Sequence, residues 1–221
     1  MTKQIPDIVL YKDEEFILAG LKGSRLFHPM DFGITSDMMD VTTACYRRYF
    51  CEYASVDRQL FLTGLSIIQR EDIEFPLIEG VAAKSDGSGL AHSYENLRVP
   101  CTFSGGLILV RNPVGLVGDY PSPIEFEEVV EVLFEEGRLE QEIDHSRTVA
   151  GLRKEVDDLD ETLKSNSDLS EVLRRWDSPD EKVSDPETKL FDEYIDQIVE
   201  KNIELQWSFV SDYEQQPPRW F

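Results

Sequence analysis

The sequence has no long apolar run. None of its 221 residues falls in a stretch of 18 consecutive apolar residues, which is about the minimum length for a transmembrane helix. The N-terminus also lacks the apolar segment and small-residue cleavage site of a secretory signal peptide. We therefore expect a cytoplasmic protein that does not enter a membrane.

Familiar catalytic and nucleotide-binding motifs are also missing. The chain has no P-loop, no G-x-G-x-x-G, no H-E-x-x-H and no G-x-S-x-G. It has only three histidines, His28, His92 and His145, which limits acid–base and metal chemistry. We expect no catalytic residue, no cofactor and no metal. The sequence thus favours a protein that is not an enzyme, without deciding the question.

Cysteine is scarce. The three cysteines, Cys45, Cys51 and Cys101, are an odd number, and none belongs to a C-x-x-C pair. We interpret them as reduced thiols of the core, where free cysteine behaves as a small apolar residue. Pairing of Cys51 or Cys101 with His92 as nucleophile and base is the alternative, but a buried thiol is inert unless a positive group lowers its pKa.

Basic residues are outnumbered two to one. Forty-four acidic and 22 basic residues give a net charge of −22. Residues 121–221 hold 28 of the acidic and 11 of the basic residues, so most of the excess lies in the second half of the chain. A negative field repels phosphate backbones, which argues against direct nucleic-acid binding. It attracts a basic protein, although solubility is the commoner reason for an acidic surface.

Strand composition dominates residues 5–145. Residues 43–56 and 60–68 are rich in β-branched and aromatic side chains and are separated by Asp57, Arg58 and Gln59, which predicts a central hairpin. A shorter hairpin is predicted at residues 8–18. Residues 121–143 have the glutamate and leucine content of a helix, but their alternation and the interruption at Glu135-Glu136-Gly137 favour a hairpin with a glycine turn over a helix. Residues 101–111 are predicted as a further strand ended by Asn112-Pro113, and residues 79–97 as an exposed loop.

Helical periodicity begins at Ser146. A stripe recurs at spacings of three and four and predicts an amphipathic helix, formed by Val149, Leu152, Val156, Leu159 and Leu163. A second helix is predicted at residues 169–176 and a third at residues 187–206. The fold class is therefore α+β: a mainly antiparallel β-sheet or sandwich over residues 5–145, then an acidic helical extension over residues 146–221 that packs on it.

The central hairpin resembles a group of small uncharacterised bacterial proteins. The resemblance rests on Cys45-Tyr46-Arg47-Arg48-Tyr49, Glu52 and residues 57–62, with further likeness at residues 103–108 and at Glu136-Gly137. Arg48 stands where the shared pattern has glycine. The resemblance implies a mainly antiparallel β domain and no known activity.

Two candidate interaction surfaces lie in the helical segment. The first is an acidic cluster formed by Asp157, Asp158, Asp160 and Glu161, for which a solvated helix face is the simpler interpretation. The second is the aromatic C-terminus with Arg219, Trp220 and Phe221, which docks either on its own domain or on another protein.

These observations favour a non-enzymatic acidic protein that binds a protein partner. A basic partner is expected, and the sharpest version is an inhibitor or immunity protein that covers a basic, nucleic-acid-handling surface. One alternative is a homodimer or other assembly formed through the helical stripe and the aromatic tail. Another is an enzyme with a carboxylate site, such as Glu52 and Asp57 beside Arg47 or Arg48.

Overall fold

The protein is described by a computed structural model that divides the chain into two compact units. Unit 1 comprises Met1–Ser146 and Asp212–Phe221, and unit 2 comprises Arg147–Ser211. The structure describes residues 4–70, 73–85, 87, 89–118, 120–165, 189, 192–198 and 200–201, together with the backbone of residues 214–215. Unit 2 is thus an insertion, because the chain leaves unit 1 after Ser146 and the backbone of residues 214–215 pairs again with Leu21 and Gly20 of unit 1. The predicted packing of the helical extension on the β domain stays a prediction.

Within the described residues, unit 1 consists of one mostly antiparallel sheet of eleven strands. The strands are β1 (Ile8–Tyr11), β2 (Glu14–Gly23), β3 (Tyr49–Val56), β4 (Gln59–Ile68), β5 (Lys84–Ser85), β6 (Ala91–Tyr94), β7 (Val99–Pro100), β8 (Gly105–Pro113), β9 (Phe126–Glu135), β10 (Arg138–Asp144) and β11 (Glu214–Gln215). Short 3-10 turns lie at Pro29–Phe32, Ser36–Met38 and Pro123–Glu125. With the helix of unit 2, this confirms the α+β class.

The sheet closes on itself. Seven strands follow the order β10-β9-β8-β2-β1-β3-β4, and β10 also pairs with β4. The closing pair is Arg138 with Gln59, flanked by backbone hydrogen bonds of 2.8 Å from Leu60 N to Gly137 O and from Leu139 N to Arg58 O. The β1–β3 pair is parallel. Apolar side chains from all seven strands form one buried cluster, which includes Val9, Leu18, Tyr53, Leu62, Leu107, Val132 and Leu139.

Three two-residue turns explain the three predicted hairpins, all of which are confirmed. Their central residues are Lys12 and Asp13, Asp57 and Arg58, and Glu136 and Gly137, and all six have positive φ between 47° and 80°. Such turns match the right-handed twist of the strands that they join. The central turn is one residue shorter than predicted, because Gln59 already belongs to β4.

The predicted start of the central hairpin at residue 43 is wrong. The first strand begins at Tyr49. Before it the backbone folds into a turn, in which the Cys45 amide donates to Thr42 O at 3.2 Å. Arg48 then has φ 73°, a left-handed conformation that cannot continue a strand. Local turn formation therefore overrides the strand composition of residues 43–48.

Two further boundaries differ from the prediction. Residues 79–97 are not one exposed loop, because β5 and β6 lie there and the β6 residues Ala91, His92 and Tyr94 are buried. The strand predicted at residues 101–111 begins at Gly105 and runs through Asn112-Pro113. Gly105 permits the close approach of β8 to β2, since a Cβ there would overlap the Lys22 carbonyl.

Unit 2 contains the predicted amphipathic helix, α1 (Ser146–Lys164). The five residues of the predicted stripe are buried or half-buried, whereas most residues between them are exposed. Residues 189, 192–198 and 200–201 are helical, which agrees with part of the third predicted helix. The second predicted helix lies outside the described residues. Among the described residues, no helix is long and apolar enough to cross a membrane.

Candidate functional site

The predicted acidic cluster lies on α1. Asp157, Asp158 and Glu161 are exposed there, and we call these three residues the acidic face. Among the described residues, the acidic face forms one ion pair, between Lys154 Nζ and Asp158 Oδ2 at 3.9 Å. Asp157 and Glu161 form no ion pair in the described part of the chain. The acidic face therefore presents at least two carboxylates whose charge is not neutralised by a neighbouring side chain.

Asp160, the fourth predicted residue, has a different role. Its Oδ2 lies 2.8 Å from Lys164 Nζ, and its Oδ1 accepts a hydrogen bond of 2.5 Å from Tyr194 Oη. Burial would raise the pKa of Asp160, but the hydrogen bonds from Lys164 and Tyr194 outweigh it and lower the pKa. The hydrogen bond from Tyr194 and the 3.6 Å contact between Lys201 Nζ and Glu155 Oε2 join the two helical segments of unit 2 in antiparallel order. The Lys164 contact lies within α1.

More carboxylates lie on the β9–β10 hairpin of unit 1. The exposed members are Glu127, Glu135, Glu136, Glu140, Glu142 and Asp144. Over residues 121–165 the chain has 14 acidic and five basic residues. The acidity predicted for the second half of the chain is therefore present in the described parts of both units. Arg219, Trp220 and Phe221, the predicted aromatic surface, lie outside the described residues.

A buried ion pair, which the sequence did not indicate, fixes the start of β3. Asp7 is 1% exposed and contacts the Arg47 guanidinium through both carboxylate oxygens, one of them at 2.9 Å from Nη1. Asp7 Oδ1 also accepts the Cys51 amide at 2.7 Å. Burial would lower the pKa of Arg47, but the Asp7 carboxylate outweighs it and raises the pKa. We call this group the Asp7 anchor.

The structure bears on the alternative of an enzyme with a carboxylate site, for which Glu52 and Asp57 were expected beside Arg47 or Arg48. Arg47 pairs with Asp7, and its guanidinium also lies 4.8 Å from the centre of the Tyr49 ring. Arg48 donates to Ser36 O at 2.9 Å. Asp57 forms the tight turn after β3, and Glu52 faces the side of the sheet opposite Cys51. The structure therefore does not bring Glu52 and Asp57 together with either arginine.

The three cysteines are free and buried, as predicted. Burial raises the pKa of all three thiols, that of Cys101 to about 11. Few thiolates are present at neutral pH under these conditions, so the thiols are poor nucleophiles. Among the described residues, no group of three or more His, Cys, Asp or Glu side chains is placed to hold a metal ion.

A groove lies on the side of β4 that faces away from the buried cluster. Its volume is about 680 Å³. Its floor comes from β3, β4 and β6, and one wall comes from the four residues between β6 and β7. The residues that line it include Glu52, Phe61, Thr63, Ser66, Ser93, Glu95, Asn96 and Arg98. No single segment of sequence contains this set, which explains why the sequence did not predict it.

Polar side chains converge on the groove. The Ser66 and Ser93 hydroxyls are 2.9 Å apart across the β4–β6 pair. The Arg98 guanidinium lies 5.3 Å from the centre of the Phe61 ring. Glu52 lies opposite Gly64, and a Cβ at Gly64 would lie 2.9 Å from its Oε2 atom. The groove thus combines carboxylate, hydroxyl and guanidinium groups around one aromatic ring.

No protein family, curated protein or solved structure matches this chain. The resemblance of the central hairpin to small bacterial proteins therefore stays a prediction.

Proposed function

We propose that this protein is an acidic binding protein that engages a basic protein partner through the acidic face of α1. The observation that carries the proposal is the exposure of Asp157, Asp158 and Glu161 on one helix, with two of the three carboxylates outside any described ion pair. Carboxylates held on a helix at neighbouring positions present a regular array of negative charge, which a partner rich in lysine or arginine complements.

The network around Asp160 supports this role. The bonds of Asp160 to Tyr194 and of Glu155 to Lys201 hold the helical segments of unit 2 together. The bond of Asp160 to Lys164 lies within α1. The acidic face then belongs to a preorganised element, so less conformational entropy is lost on binding. In the sharpest form of the proposal, the partner is a nucleic-acid-handling protein and the carboxylates occupy the positions of phosphates.

The test is binding of the partner at low and then at high salt. The full-length protein is immobilised and used to recover partners from its native host, and the recovered protein is identified and purified. Binding through exposed charges weakens as salt screens them. We therefore expect recovery of a basic protein at low salt and its release at high salt.

Two matched variants assign the surface. One variant neutralises the acidic face by Asp157→Asn, Asp158→Asn and Glu161→Gln. The control neutralises three exposed carboxylates of unit 1 by Glu15→Gln, Glu74→Gln and Glu79→Gln. Both variants change the net charge equally, so only the first should lose the purified partner. Equal losses from both variants, or a recovered partner with no basic surface, would contradict the proposal.

A further inference from the structure

We propose that the groove on β3, β4 and β6 binds a peptide segment that carries one arginine side chain. The groove lies entirely in unit 1, so the inference goes beyond the acidic face and does not depend on it. Three properties of the groove define the ligand: its size, its net charge and the groups that surround Phe61.

The volume of the groove indicates a ligand larger than a single side chain. Ligand sites commonly have volumes of roughly 300–1,000 Å³, and this groove has about 680 Å³. The side chain of one residue fills only part of that space. The Thr63 and Asn96 side chains line the same space, and they offer hydrogen bonds to the peptide groups on either side of a bound side chain.

The charge indicates a single cation. Glu52 and Glu95 contribute two negative charges and Arg98 one positive charge, which leaves one negative charge in the groove. In the described part of the chain, neither glutamate forms an ion pair. An anionic ligand would meet two carboxylates, whereas a ligand with one positive charge balances the groove.

The surrounding groups favour arginine over lysine. A guanidinium carries five N–H donors in a planar fork, so it binds a carboxylate with two donors and keeps others for neighbouring acceptors. Glu52 supplies the carboxylate, and the Ser66 and Ser93 hydroxyls supply acceptors on the same surface. The Arg98 Cζ atom lies 5.3 Å from the centre of the Phe61 ring, so the groove already holds one guanidinium over an aromatic ring.

Gly64 makes the carboxylate of Glu52 available at the floor of the groove. A Cβ at position 64 would lie 2.9 Å from Oε2, 3.1 Å from Cδ and 3.2 Å from Cβ of Glu52. Any larger residue would therefore displace the carboxylate. The carboxylate is the end of a flexible side chain and can move away, whereas the Glu52 Cβ is fixed to the backbone and must shift slightly. Gly64→Ala should therefore displace the carboxylate at a modest cost in stability.

The test is a titration of the isotope-labelled full-length protein with a peptide, in which binding is measured by NMR from the changes in amide chemical shifts. The probe is the blocked peptide acetyl-Gly-Arg-Gly-amide. The comparison ligands are the same peptide with citrulline, which is neutral and nearly isosteric, the same peptide with lysine, and methylguanidinium alone. We expect the arginine peptide to shift the resonances of Glu52, Gly64, Ser66 and Arg98 in a saturable manner and the citrulline peptide to leave them unchanged.

Variants locate the site. Glu52→Gln should weaken binding of the arginine peptide by about fivefold, as expected for roughly 1 kcal/mol from an exposed ion pair. Gly64→Ala should weaken it in the same direction, and Glu15→Gln, an exposed carboxylate on β2, should not. Equal binding of the citrulline peptide, or an unchanged affinity in Glu52→Gln, would overturn the site. Equal binding of lysine would overturn the choice of arginine, and equal binding of methylguanidinium would overturn the choice of a peptide.

Discussion

Removal of the Asp7 carboxylate should destabilise unit 1 by several kcal/mol. In Asp7→Ala, the Arg47 guanidinium loses both of its contacts to Asp7, and the Cys51 amide loses its 2.7 Å acceptor. Loss of one partner from a buried ion pair costs about 3–5 kcal/mol. The Arg47 side chain is 21% exposed, so water recovers part of its solvation. We therefore expect about 3 kcal/mol, which lowers the melting temperature by roughly 6–12 °C in a chain of this size.

Urea unfolding followed by far-UV circular dichroism measures this loss. Hydrogen exchange of the Cys51 amide measures it locally, because that amide donates to Asp7. The control is Asp31→Ala, whose carboxylate pairs with Arg25 at the surface, where the two side chains are 52% and 58% exposed. Exposed ion pairs contribute about 0–1 kcal/mol, so the control should lose no more than that.

The double variant Asp7→Ala/Arg47→Met distinguishes a broken pair from a lost contact. If the cost of Asp7→Ala comes mainly from an unpaired buried guanidinium, removal of that charge should restore part of the stability. The reasoning is refuted if Asp7→Ala costs no more than Asp31→Ala. It is also refuted if the double variant is less stable than Asp7→Ala alone.

Three other predictions follow from the closed sheet. Gly137→Ala should cost more stability than Gly115→Ala in urea unfolding, because both have positive φ but only a Cβ at 137 overlaps the Cys101 carbonyl, while Gly115 faces open space. A thiol reagent at pH 8 should label Cys45, Cys51 and Cys101 only as fast as the native protein opens, since burial raises all three pKa values; rapid labelling would contradict this. Hydrogen bonds from Lys12 and Tyr11 lower the pKa of Glu142 from 4.5, so this group stabilises the fold above that pH, and the contribution is lost as pH falls through the lower folded value. Glu142→Gln should therefore reduce the loss of stability between neutral and acid pH, and an unchanged pH profile would show that the pair contributes nothing.

The sequence predicted local structure better than long-range structure. The three hairpins and the amphipathic helix were predictable because alternation, turn residues and the spacing of Val149 to Leu163 are short-range signals. The strand predicted at residues 43–48 is wrong. The turn at Cys45 and the left-handed backbone of Arg48 depend on local hydrogen bonds that composition does not reveal. The exposed loop predicted at residues 79–97 is wrong. The few buried residues of β6 are surrounded in sequence by glycine and small polar residues, which are typical of loops.

The candidate sites divide in the same way. Three of the four acidic residues predicted on α1 are exposed. Their exposure was predictable, because an acidic run beside an apolar stripe indicates the outer face of a helix. The Asp7 anchor was not predictable, because Asp7 and Arg47 are 40 residues apart and neither is unusual in its local context. The groove was missed for the same reason, because it forms only when β3, β4 and β6 lie side by side.

The pairing of Gln59 with Arg138 also bears on how the chain folds during synthesis. At this edge of β4, the Leu60 amide donates to Gly137 O in the turn of the β9–β10 hairpin, which leaves the ribosome much later than β4 does. Until then a nascent chain exposes an unpaired strand edge, and such edges readily pair between molecules. We therefore expect the emergence of β10 to cover this edge and to reduce self-association of the newly made protein.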